Sequence, residues 1–144
     1  AGERVAGYEY TREGNPTQDR LEAALAAMEG GAAALVFASG MAAMHALLES
    51  LPNDGEVLIP DDCYTGLRAL GAEFLPARGI SVRAVDFANL DAVRAAISPR
   101  TRLLWTETPS NPQLRVCDLD ALASRAPART TPRVVRRAPR SAPR

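Results

Sequence analysis

The sequence predicts an α/β fold built on a mostly parallel sheet of about four strands. Short runs rich in apolar residues recur at residues 34–38, 57–59, 82–85 and 103–105, the first bounded by Gly31 and Gly40 and the second stopped by Pro60. Between them lie stretches whose apolar residues fall at helical spacing. The chain of 144 residues is one domain's length, and 47% hydrophobic with 24% charged residues is the composition of a globular protein.

Residues 1–16 are polar, rich in Gly and Tyr, and without a period, so an extended arm is expected there. Asn15-Pro16-Thr17 then opens a helix, with Asn15 as N-cap and Pro16 in the first position. Leu21, Ala24, Leu25 and Met28 share one face of it, and Gly30-Gly31 ends it. Ala34-Leu35-Val36-Phe37-Ala38 reads as a buried parallel strand. Ser39-Gly40 opens a second helix carrying Met41, Met44, Leu47, Leu48 and Leu51. Val57-Leu58-Ile59 is a strand stopped by Pro60, and residues 64–77 read as helical. Residues 82–85 form a strand, 89–97 a short helix, and Leu103-Leu104-Trp105 a further strand before the loop Thr108-Pro109-Ser110-Asn111-Pro112. From about Ala123 the pattern fails. Residues 125–144 hold seven arginines and four prolines, and disorder is expected over 123–144.

The formal net charge of zero hides an asymmetry. All 17 basic residues are arginine; ten of them face all 17 acids within residues 1–120, a net of −7, and the other seven lie beyond. Without lysine, neither a Walker-type phosphate loop nor Schiff-base catalysis can be complete. Cys63 and Cys117 form no metal-binding pattern, so free thiols, no metal site and a cytoplasmic setting are expected. No run of 18 apolar residues suggests a membrane span. The tail lacks aromatics to stack on bases, and the rest of the chain is acidic, so nucleic acid is not an expected partner. No apolar signal follows Ala1-Gly2-Glu3-Arg4, and the absence of an initiator Met suggests a start inside a longer reading frame.

In open α/β sheets ligands sit beyond the carboxyl ends of the strands. Ser39-Gly40-Met41, Asp62-Cys63-Tyr64 and residues 107–111 are all expected at that edge. A strand followed by two small residues and a helix offers backbone N–H donors to a phosphate, although a tight packing turn has the same form. Tyr64 could face a planar ligand or pack on the sheet edge. Asn111 could donate its amide to a ring oxygen or serve as a turn residue. Glu107 could orient a neighbouring Arg or remain a solvated charge. Tyr10 and Arg12 could reach a distant anion, or be surface polarity. His45, one turn into its helix, is not assigned a catalytic role.

Together these segments resemble known blocks. Tyr8-Glu-Tyr10-Thr-Arg12-Glu-Gly-Asn15-Pro16-Thr17, Phe37-Ala-Ser39-Gly40-Met41-Ala-Ala43, Asp61-Asp-Cys-Tyr64-Thr-Gly66 and Trp105-Thr-Glu107-Thr-Pro-Ser-Asn111-Pro112 are similar, in order and spacing, to the Cys/Met-metabolism family of pyridoxal-phosphate (PLP) enzymes. The resemblance covers about residues 7–122. It implies part of the large domain of an aspartate-aminotransferase-like (type I) PLP enzyme over 17–122, PLP as cofactor, and a homo-oligomer that is a dimer at least and usually a tetramer built from dimers. It also implies elimination or replacement at the β- or γ-carbon of cysteine-, homoserine- or methionine-type amino acids, cystathionine γ-synthase- or γ-lyase-like. Ser39, Gly40 and Met41 would hold the phosphate, Tyr64 would stack on the pyridine, and Asn111 would meet its 3-hydroxyl with Glu107 in support. Tyr10 and Arg12 would cross to a neighbouring subunit's phosphate.

That family's later strand with an Asp, its Lys and its C-terminal Arg have no matching positions here. A truncated or frameshifted copy, inactive alone, is therefore expected. The alternative is a non-catalytic module lending its N-terminal arm to a partner subunit. On either view, apolar helix faces and a strand edge should be left uncovered.

Overall fold

Parallel pairing around one largely buried strand organises the larger part of the molecule. The computed structural model describes residues 7–125 and the backbone of 135–137, and it divides the chain into two units, 1–43 and 44–144.

In the second unit the central strand is β1 (Glu56–Pro60), whose Val57, Leu58 and Ile59 are at most 4% exposed. It pairs in parallel with β2 (Ser81–Val85) on one side and β3 (Thr101–Leu104) on the other, giving the order β2-β1-β3. Helix α3 (Thr65–Glu73) leads from β1 to β2, and α4 (Leu90–Ala96) from β2 back to β3. These crossovers run in opposite directions, so the right-handed rule puts their helices on opposite faces of the sheet. On one face Leu58 packs with Phe87, Val93, Ala96 and Leu122, the last from α5 (Leu119–Arg125). Alternation along β1 turns Val57 and Ile59 to the other face. The α3 helix approaches β2 closely at Gly71, where a Cβ would stand 3.1 Å from Val82 Cγ2.

Helix α1 (Pro16–Glu29) starts as expected: Asn15 Oδ1 accepts the N–H groups of Thr17 and Gln18 at 3.1 and 2.9 Å, and Gly30 closes it at φ 65°. Asn89 caps α4 in the same way. Helix α2 spans Gly40–Glu49. Among the described residues no helix is long and apolar enough to cross a membrane.

Several expectations need correction. Residues 34–38 form no strand: no neighbouring segment among the described residues pairs with them, and Leu35 and Phe37 are 75% and 40% exposed. Glu22 accepts the Val36 N–H instead, at 2.8 Å. The described part of the N-terminal arm is not extended; Glu13 N–H donates to the Tyr10 carbonyl at 2.9 Å, and Tyr8 donates its hydroxyl to Asp19. The helix expected over 64–77 stops at Glu73, and Pro76–Arg78 form a 3-10 turn closed by Gly79 at φ 69°. The strand at 103–105 breaks at Trp105, after which β4 (Thr106–Thr108) follows. Of the tail read as disordered, residues 123–125 continue α5, and β5 (Val135–Arg137) pairs in parallel with β4. The rest of that reading lies outside the described residues, as does residues 1–6 of the arm.

Candidate functional site

Acidic or hydroxyl residues stand at or just beyond the carboxyl ends of β1, β2 and β4, and a single arginine joins them. Asp61 and Asp62 follow Pro60, Asp86 follows Val85, and Ser110 follows the end of β4 by two positions. Arg115 Nε lies 3.1 Å from Asp62 Oδ2 and its NH1 3.1 Å from Asp86 Oδ1, while NH2 pairs with Asp61. Ser110 donates its hydroxyl to Asp62 and accepts the Arg115 N–H at 2.9 Å. Asp62 is buried, which by itself pushes its carboxyl up. The hydrogen bonds from Ser110 and Arg115, with the charge of Arg115, outweigh that and hold it below the usual carboxylate value. The hydrogen bond that Arg115 donates to Asp62, opposed in part by burial and joined by the one it donates to Asp61, holds the guanidinium more firmly protonated.

Tyr64 stands at the start of α3, its residue surface 36% exposed. Its N–H donates to both carboxylate oxygens of Glu107, at 3.4 and 3.3 Å. Glu107 is itself buried, so it is not a solvated charge, and among the described residues it pairs with no arginine; it pins the backbone that presents Tyr64. Asn111 is exposed, and among the described residues its side-chain amide has no partner. Pro109 and Pro112 on either side of it both follow cis peptide bonds. Nearby Cys63 is buried, and that burial pushes its thiol up despite the closeness of Arg68, which suits a packed thiol rather than a nucleophile.

In the first unit, Ser39 Oγ accepts the Ala42 N–H at 3.1 Å and so caps α2. Among the described residues the N–H groups of Gly40 and Met41 carry no hydrogen bond, and nothing lies within 4 Å of where a Gly40 Cβ would be. Free donors at the positive end of a ten-residue helix, at a glycine with no side chain to crowd the approach, fit a phosphate group. Tyr10 and Arg12 are both exposed, and the Arg12 guanidinium lies 4.9 Å from the Tyr10 ring centroid.

The structure thus brings Tyr64, Glu107 and the loop of Asn111 to one sheet edge, and places Ser39, Gly40, Met41, Tyr10 and Arg12 in the first unit. Sequence reasoning assigned no role to Arg115, Asp62, Asp86 or Ser110. Acids directly after two adjacent strands and a lone arginine past Asn111-Pro112 were the available signal, but it becomes specific only once the strand order is known.

Comparisons with known proteins agree with this architecture. The family model described as Cys/Met metabolism PLP-dependent enzyme matches residues 1–137. Cystathionine gamma-synthase of Mycobacterium tuberculosis is 49% identical over 118 residues, covering 81% of this chain and 30% of that protein. Chloroplastic cystathionine beta-lyase of Arabidopsis thaliana is 40% identical over 121 residues, covering 84% and 26%. The crystal structure of cystathionine gamma-lyase from Lactobacillus plantarum complexed with L-serine superposes with a TM-score of 0.77 at 39% identity, covering 83% of this chain and 31% of that one. The chain spans about a third of the length of these relatives. With the model matched across nearly its whole length, the chain belongs to the Cys/Met metabolism family of PLP-dependent enzymes.

Proposed function

We propose that this chain supplies the phosphate- and ring-binding portion of a trans-sulfuration enzyme, and that it binds cofactor without turning over substrate. The full reaction is elimination or replacement at the β- or γ-carbon of a cysteine-, homoserine- or methionine-type amino acid, in the manner of a cystathionine γ-synthase or γ-lyase. PLP, when bound, supplies the electron sink for negative charge developing at the amino acid's α-carbon.

The chain's own residues do the holding. Gly40 and Met41 donate backbone N–H groups to the phosphate, with Ser39 keeping the helix start ordered through its bond to Ala42. Tyr64 offers its ring to the face of the pyridine, on a backbone fixed by buried Glu107. Asn111, its amide free, donates to the 3-hydroxyl oxygen. Tyr10 and Arg12, stacked and exposed, serve the phosphate of a neighbouring subunit in a homo-oligomer. A sequence without lysine has no amine to bond the cofactor covalently or to move the α-proton, and this supports the absence of turnover. The unpaired thiols of Cys63 and Cys117 suit a cytoplasmic setting.

The observation that carries the reading is the Tyr64–Glu107 tie, which fixes the backbone of Tyr64 to β4, the strand that leads into the loop of Asn111. Pyridoxamine 5′-phosphate needs no lysine to bind, so it is the probe for calorimetric titration. Saturable binding, weakened by Tyr64→Ala and by Asn111→Ala, is expected. No binding to the unaltered chain at about 1 mM ligand, the weak end of specific affinity, would overturn the proposal. PLP-dependent turnover of L-cystathionine by the purified chain would overturn the claim that it is inactive alone.

A further inference from the structure

We propose that Arg115 is the positioning residue of this site, setting where Tyr64 and Asn111 stand relative to each other before any ligand arrives. The inference rests on the cofactor-binding reading above and adds to it the device that prepares the site. The loop after β4 closes on itself through a reciprocal pair: Ser110 N–H donates to the Arg115 carbonyl at 2.9 Å, and Arg115 N–H donates to Ser110 Oγ at 2.9 Å. That closed loop carries Asn111 next to Ser110. The Arg115 guanidinium then fastens the loop to two strands at once, through Asp61 and Asp62 after β1 and Asp86 after β2. Asp62, held by both Ser110 and Arg115, lies two positions before Tyr64. A second tie joins the same two segments, from Tyr64 N–H to Glu107. Tyr64 and Asn111 therefore hang from one cross-braced unit.

Only arginine meets this geometry, because its planar fork directs donors at three carboxylates where a lysine ammonium is a single point charge. Removing the cation takes from Asp61, Asp62 and Asp86 the one guanidinium that joins all three across the ends of β1 and β2, and the repulsion among them then favours release of the loop. A salt bridge that merely adds stability predicts something different, namely loss spread over the whole fold.

Amide hydrogen exchange and pyridoxamine 5′-phosphate titration on the full chain separate the two. The variants are Arg115→Gln, Arg115→Lys, the milder Asp86→Asn, and Arg83→Gln as control. Arg83 pairs with Glu56 at the opposite end of the sheet, 3.3 Å away, and touches none of the site. In Arg115→Gln the amides of Tyr64, Ser110, Leu114 and Arg115 should exchange about tenfold faster or more, the equivalent of losing one charge-assisted hydrogen bond. Strand amides of β1 should change no more than the melting temperature dictates. Ligand affinity should fall about tenfold, with Arg115→Lys restoring little of it and Asp86→Asn showing a smaller change in the same direction. Arg83→Gln should lower the melting temperature while leaving loop exchange and ligand affinity as they were. Unchanged exchange at residues 108–115 in both Arg115 variants overturns the proposal. So does an equal loss of affinity in Arg83→Gln. If the unaltered chain binds no ligand, the cofactor reading fails while the exchange measurement still decides the role of Arg115.

Discussion

Replacing Asp62 by asparagine measures how much of the strand edge is held by charge rather than by shape. The substitution keeps an acceptor oxygen and the side-chain volume, so the hydrogen bond from Ser110 Oγ becomes neutral and the ion pair with Arg115 Nε becomes a bond charged on the donor side alone. Each conversion costs about 0.5–1 kcal/mol, for a total of about 1–2 kcal/mol at neutral pH. For a chain of this size that is a fall in melting temperature of roughly 3–10 °C. The pH dependence has a definite sign. Donors and the Arg115 charge hold the native carboxyl below its unfolded value of about 3.9. Its contribution is therefore fully present above that value and is lost as pH falls through the lowered native one. The difference between wild type and Asp62→Asn should be constant from pH 7 to about 5 and close below about pH 4. Thermal melts followed by circular dichroism across that range give both quantities. Combining Asp62→Asn with Ser110→Ala should show a coupling of about 0.5–1 kcal/mol. Equal melting temperatures at pH 7, or a gap that does not narrow in acid, would refute the reasoning.

Two further substitutions probe how the sheet is braced. Arg78 donates to the carbonyls of Leu48 and Leu51 at the end of α2 and to Asn53 Oδ1 at 3.0 Å, so Arg78→Met should destabilise by about 2 kcal/mol in chemical denaturation. An unchanged denaturation midpoint would mean that water serves those carbonyls as well. Gly71→Val places branched methyls against Val82, which already stands at contact distance from the missing Cβ, and should cost about 1–3 kcal/mol through overpacking. A neutral result would show that α3 can shift away from β2 freely.

Local chemistry was the legible part of this fold. Asn15, Pro16 and Gly30 bound α1 because each acts on its immediate neighbours, and Asn89 does the same for α4. The strands at 57–59 and 82–85 were readable because their apolar runs are flanked by turn residues and find partners within the same unit. Trp105 was misread as strand interior. Its N–H does bond to the Leu58 carbonyl at 2.9 Å, but β3 ends at Leu104 and β4 begins at Thr106, leaving Trp105 between the two strands. Tyr64 and Asn111 could be singled out from their positions after strands. The grip on them could not, because Asp62 and Arg115 lie 53 positions apart and meet only through the strand order β2-β1-β3.

The same distinction between local pattern and distant partner explains residues 34–38. Their apolar composition is a strand's, yet a strand exists only where another offers its ladder, and a buried side chain only where something covers it. Leu35 and Phe37 are left exposed at 75% and 40%, and in α1 the face of Leu21, Leu25 and Met28 stands at 48%, 37% and 79%. Covering a single leucine or phenylalanine contributes about 1.5–3 kcal/mol, so a few such contacts between copies suffice for association at micromolar concentrations. The chain should therefore self-associate in sedimentation-velocity runs, with the association rising with concentration and with added sulfate, which strengthens apolar burial. Paired substitution Leu35→Asn with Phe37→Ser should shift the distribution towards monomer. It should not lower stability, since neither side chain is buried. A wild-type chain that stays monodisperse and monomeric at about 100 μM would contradict the magnitude assigned to this surface. A double variant that associates as strongly as wild type would move the contact to another face.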